Sequence, residues 1–113
     1  MNTEKITTLE QVQDALDIVE NARAITGLNP DEKLKLEAAS VKLRNLERTI
    51  IRIKTAELVA SLTSDSDALK VLAGQIKQSS EKLSGVANAI EKAAKVVGTF
   101  IKIVATVFAS GLL

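Results

Sequence analysis

The sequence predicts an all-α fold, a three-helix antiparallel bundle with long, coiled-coil-like second and third helices, and three observations carry the prediction. Apolar residues recur at alternating steps of three and four, the spacing that gathers them on one face of a helix. Cap signals stand where the first two periodic stretches begin. From Leu69 onward a seven-residue repeat then runs almost to the C-terminus.

The first helix is expected over about residues 8–26. Thr7-Thr8-Leu9-Glu10 has the form of a capping box, in which a Thr oxygen accepts from an early helix amide and the Glu reaches back. Leu9, Val12, Leu16 and Val19 form the apolar stripe, and Gly27 supplies a residue that tolerates a left-handed stop. The second helix is expected over about residues 30–62. Asn29 is its N-cap, Pro30 is pre-set for the first helical position, and Asp31 and Glu32 lie at the positive end of the dipole. Leu36, Ala39, Leu43, Leu46, Ile50 and Ile53 follow in a knobs-into-holes pattern until Glu57 interrupts it.

Ser64-Asp65-Ser66-Asp67 is rich in cap and turn formers, so a tight turn is expected there, followed by a third helix over about residues 66–111. Leu69, Ile76, Leu83, Ile90, Val97 and Val104 recur every seven residues, with Ala73, Ala87, Ala94, Ile101 and Phe108 at the complementary positions. Gly74, Gly85 and Gly98 each weaken such a helix by roughly 1 kcal/mol relative to Ala but do not stop it.

The composition bounds function more than it names one. A chain of 113 residues buries one core, so a single helical domain over residues 1–113 is expected. Fifteen Lys and Arg nearly cancel fourteen Asp and Glu, so no net field favours nucleic acid, and Phe100 and Phe108 are the only aromatic faces. The absence of His and Cys removes the commonest metal ligand, the usual acid–base side chain and any disulfide. Ser79 and Ser80 near Lys77 and Lys82 fall on a polar helical face and lack the buried lysine that a Ser–Lys dyad needs. Asp65 and Asp67 lack the later ligands of a calcium loop. Lys42, Arg44, Arg48, Arg52 and Lys54 are offset by Glu37, Glu47 and Glu57 along the same helix and read as a solvated face. No enzyme, cofactor or metal site is expected.

The informative segment is 96–113, VVGTFIKIVATVFASGLL, whose single charged residue is Lys102. As a helix it spans roughly 27 Å, barely enough for a hydrocarbon core of about 30 Å, and Lys102 at mid-bilayer costs up to roughly 3 kcal/mol. Thr99, Lys102, Thr106 and Ser110 continue the polar stripe of Lys70, Lys77, Glu81, Ser84, Asn88, Glu91 and Lys95, and the remaining circumference is apolar. If the third helix is some 45 residues long against about 33 for the second, about 17 Å of it overhangs near Phe100–Leu113 unless it bends back at Gly98.

Three environments for this tail follow: an ordinary bundle core with Thr99, Lys102 and Thr106 facing water, a membrane, or a core shared between copies. In the membrane version Val97, Phe100, Ile101, Ile103, Val104, Val107 and Phe108 enter lipid, while Thr99, Lys102 and Thr106 form a polar seam between copies. In the soluble version the same apolar residues make an oligomer core. The expected partners are membrane lipid, other copies of the chain, or a protein covering the tail. Met1-Asn2-Thr3-Glu4-Lys5 lacks the features of a secretory signal, so a cytoplasmic start with membrane association is expected.

In outline, two antiparallel helices, a polar turn and a long helix running into an apolar C-terminus resemble α-helical pore-forming toxins and tail-anchored coiled-coil proteins of the SNARE kind. The resemblance to the toxins implies a soluble form that exposes its tail on meeting a membrane. It is a resemblance of pattern and assigns no residue roles, and the chain departs from the toxins in lacking a separate apolar head between helices.

Overall fold

Asn29 starts a helix as its spacing requires. In the computed structural model, which describes residues 2–53 and 56–110, the Asn29 side chain accepts from the Glu32 amide at 2.8 Å and the Asn29 amide donates to Glu32 Oε1 at 2.9 Å. Pro30 occupies the first turn, where its missing N–H costs nothing. Four helices result: α1 (Asn2–Arg23), α2 (Pro30–Ile51), α3 (Ala56–Ser79) and α4 (Ser84–Ser110), with a short 3-10 turn at Glu81–Leu83. No strand occurs among the described residues.

The helices form a ring in which α1 packs on α2, α2 on α3, α3 on α4 and α4 back on α1. Cross-helix pairs set the directions. Lys5 near the start of α1 reaches the Ile51 carbonyl at the end of α2, Lys35 and Lys42 of α2 meet Ser79 and Asp65 of α3, and Lys77 of α3 meets Glu91 of α4. Successive helices are therefore antiparallel, an up-down-up-down bundle measuring 51 × 20 × 17 Å. Each helix contributes one apolar seam to a common core: Val12, Ala15 and Val19; Leu36, Leu43 and Leu46; Leu62, Leu69 and Ile76; Ile90, Val97 and Val104.

Four helices replace the expected three, and each difference has a local cause. α1 begins at Asn2 rather than near residue 8, and Thr8 is no cap: buried, it donates its hydroxyl to the Glu4 carbonyl at 2.6 Å, the return bond a helix-interior Thr makes. α2 stops at Ile51 rather than near residue 62. The Arg52 amide donates to the Arg48 and Thr49 carbonyls, and Ile53 is turned into the core. Lys54 and Thr55, which the long second helix was to run through, lie outside the described residues.

Ser64-Asp65-Ser66-Asp67 is not a turn but part of α3. Ser66 is buried and donates to the Ala94 carbonyl of α4 at 3.1 Å, and Asp65 pairs with Lys42 of α2 at 3.4 Å, so tertiary partners override the local preference for caps. The expected third helix over 66–111 is broken instead at Ser80, whose extended backbone (φ −152°, ψ 108°) ends α3 before the 3-10 turn opens α4. The heptad survives the reversal, and Leu69, Ile76, Leu83, Ile90, Val97 and Val104 are all buried.

This break removes the expected overhang. α3 has 24 residues and α4 has 27, so their lengths differ by only about 4 Å. α4 also runs through Gly98 without interruption. Phe100, 1% exposed, is then a core residue held between α4 and its neighbours. Phe100→Ala should lower the unfolding free energy by about 3–5 kcal/mol in urea denaturation; a change below about 1 kcal/mol would show that α4 is not packed as described.

Candidate interaction surface

The heptad phase of α4 sorts the residues of the apolar segment. Val97, Phe100 and Val104 are buried in the bundle, while Ile101, Ile103, Val107 and Phe108 are half-buried. Ile101 and Phe108 pack against the same core as partly covered members. Thr99, Lys102 and Thr106 are exposed. Both Thr hydroxyls are already used inside the helix: Thr99 donates to the Lys95 carbonyl at 3.3 Å and Thr106 to the Lys102 carbonyl at 2.9 Å. Gly111, Leu112 and Leu113, the end of the apolar segment, lie outside the described residues.

Where α4 closes on α1 the fit is incomplete. Thr3, Glu4, Thr7 and Thr8 of α1 and Val96, Thr99, Phe100 and Ile103 of α4 line an open groove of about 280 Å³. Its walls are mostly apolar, and the Thr8 and Thr99 hydroxyls are engaged by carbonyls of their own helices. The groove follows from small side chains on α1: with Thr at positions 3, 7 and 8, the helix cannot fill the space beside Val96 and Ile103. A second apolar patch lies on the outer side of α2, where Leu34, Ala38 and Val41 share one face beside Glu37 and Lys42.

The opposite end of the bundle is polar and closed. Glu32, 4% exposed, accepts from the Ser80 hydroxyl and the Asn29 amide, and Lys82 lies 3.7 Å from its Oε1. Lys82 also donates to the Gly27 carbonyl at 3.2 Å. Gly27 adopts φ +88°, a conformation that disfavours a Cβ. One carboxylate thus ties the α1–α2 loop, the start of α2 and the α3–α4 reversal. The Ser80 hydroxyl first, and the Asn29 amide next, hold the Glu32 carboxyl below its ordinary value, with Lys82 adding to them and burial opposing. Glu20 is lowered too, chiefly by the Ser40 hydroxyl and then by Arg23 and Arg44.

Sequence reasoning placed the α4 half of the groove but missed its α1 half, because the first helix was started after Thr3 and Glu4. It also missed the Glu32–Ser80 contact. The available signal was Ser79-Ser80-Glu81, a cap-forming stretch in the middle of an otherwise unbroken repeat.

Among the described residues no group of three His, Cys, Asp or Glu is placed to hold a metal ion, and no helix is long and apolar enough to cross a membrane. No family model, no curated protein and no solved structure matches the chain.

The buried network makes stability depend on pH with a definite sign. A carboxyl whose folded value lies below its unfolded one stabilises the fold fully above the unfolded value and loses that contribution as pH falls through the lowered folded value. Glu32→Gln should therefore be less stable than the parent near neutral pH and lose less stability on acidification through the carboxylate range. Glu20 is present in both proteins, so parallel urea titrations at descending pH isolate Glu32; identical acid slopes would refute its role.

Proposed function

We propose that this protein is a non-enzymatic helical association module, which works by covering the apolar α1–α4 groove with a protein partner, other copies of the chain being the expected one. The observation that supports this most is the groove itself, an open and mostly apolar surface lined by Thr3, Thr7, Val96 and Ile103. Burial of Val97, Phe100 and Val104 inside a single chain weighs against lipid as the partner, since the most apolar part of α4 already leaves water within the bundle and only the groove rim stays uncovered.

A membrane reading draws on a different feature. The charged side chains of α4 are Lys92, Lys95 and Lys102, with Glu91 tied to Lys77. Were α4 to leave the bundle, its buried stripe from Val97 to Phe108 would lie on lipid with basic residues at the interface. That mechanism requires α4 to separate from both α1 and α3.

Light scattering over a range of protein concentrations, beside flotation with anionic liposomes, distinguishes the two. The association reading expects concentration-dependent assembly of the parent protein, weaker assembly of Ile103→Glu at the groove rim, and no flotation of either. Flotation of the parent and its loss in Phe108→Glu, with no assembly in solution, would replace association by the membrane mechanism. A monomer that does not float would remove both self-association and the membrane mechanism.

A further inference from the structure

We propose that two copies of this chain pair across the α1–α4 face, with α1 of each lying antiparallel against α4 of the other. This rests on the association reading above and specifies its partner and register.

The argument begins with the heptad positions that line the groove. Thr3 and Thr7 face it from α1, so Glu10 and Asp14, seven residues further on, occupy the same angular positions, and Asp17 follows Glu10 by another seven. All three acids are exposed. From α4, Thr99 faces the groove, and seven residues back stands Lys92, with Lys95 and Lys102 beside it, all exposed. Among the described residues none of these six side chains makes an ion pair within the chain, in contrast to Glu20, Asp65 and Glu91.

Between the charged strips lie apolar side chains. Ile18 continues the row of Glu4 along α1 and is 43% exposed. Val96 and Ile103 are half-buried on α4. The face therefore reads acid, apolar, base from α1 to α4, and α1 as a whole carries five acidic side chains against two basic ones.

Such a face is complementary to itself in one orientation only. A twofold axis running along the helices lays α1 of one copy on α4 of the other, acid on base, with the apolar rows facing each other. The alternative twofold, across the helices, lays α1 on α1 and opposes like charges. Thr7 and Thr99 both line the groove between antiparallel helices, so one heptad on along α1 and one heptad back along α4 bring Asp14 and Lys92 to similar heights, and the favoured axis sets Asp14 of one copy opposite Lys92 of the other. The area is adequate: a face of at most 51 × 20 Å can bury roughly 1,000 Å² per copy, against about 800 Å² per partner in a standard interface.

Sedimentation velocity on the full chain tests this with Asp14→Lys, Lys92→Glu and the two combined. Both positions are exposed, and circular dichroism checks that each variant is folded. Each contact occurs twice in the dimer, so either single reversal should weaken dimerisation about tenfold, and the combined swap should restore it to within about threefold of the parent. A parent protein that stays monomeric at about 100 μM would overturn both this proposal and self-association. A parent that assembles while the swap fails to rescue, or that assembles beyond two copies, would overturn this register and leave the association reading standing.

Discussion

Four amphipathic helices of similar length can take their apolar faces out of water together only by turning them to a common axis, and the positions of the polar groups follow from that requirement. The seams from Val12 to Val104 are short aliphatic or Ala for most of their length, which lets the helices approach closely and leaves little room for a buried polar group without a partner. Ser66 and Ser80 are admitted because each finds one, the Ala94 carbonyl and the Glu32 carboxylate. At the edges of the seams the pairs Lys42–Asp65 and Lys77–Glu91 lie across neighbouring helices, where they add register more than stability.

The two ends of the bundle are built differently. At the Gly27 end, one carboxylate gathers a hydrogen bond from the α1–α2 loop and another from the α3–α4 reversal, whose Lys82 also lies near it, so two connections are fastened together. At the other end, towards the start of α1, Lys5 donates to the Ile51 carbonyl, and Thr3, Thr7, Val96 and Ile103 line an unfilled groove. The same helices thus present a satisfied polar cluster at one pole and incompletely covered hydrocarbon at the other.

Helix content and the identity of the core were legible in the sequence because periodicity reports which residues share a face, and Leu36, Leu43, Ile76, Ile90 and Val97 are buried as their spacing implies. The reversal at Gly27–Asn29 was legible too, but the two later ones were not. A heptad written through Ser80 looks the same whether one helix continues or two pack back to back, provided the connection keeps phase, as Ser80–Leu83 does. The Ser64–Asp67 cluster misled for the opposite reason: its local preference for a turn is strong, but Ser66 and Asp65 each gain a tertiary partner that a turn at that point would lose. Misplacing the reversals inflated the third helix and created an overhang that the four-helix bundle does not have. The α1 half of the groove was hidden behind the Thr8 signal, which has the composition of a cap and the role of an interior residue.

The order of packing around the ring also bears on how the molecule forms. α1–α2, α2–α3 and α3–α4 are neighbours along the chain, joined by short connections, whereas α4 on α1 brings together elements separated by nearly the whole sequence. Three of the four interfaces are thus local contacts that form with little loss of chain entropy, and the fourth closes the largest loop in the protein. The interface with the greatest entropic cost is the one that contains the groove. It can part without separating any pair of consecutive helices, and the polar contacts near Gly27 would still hold the two hairpins together if the ring opened along the α1–α4 seam.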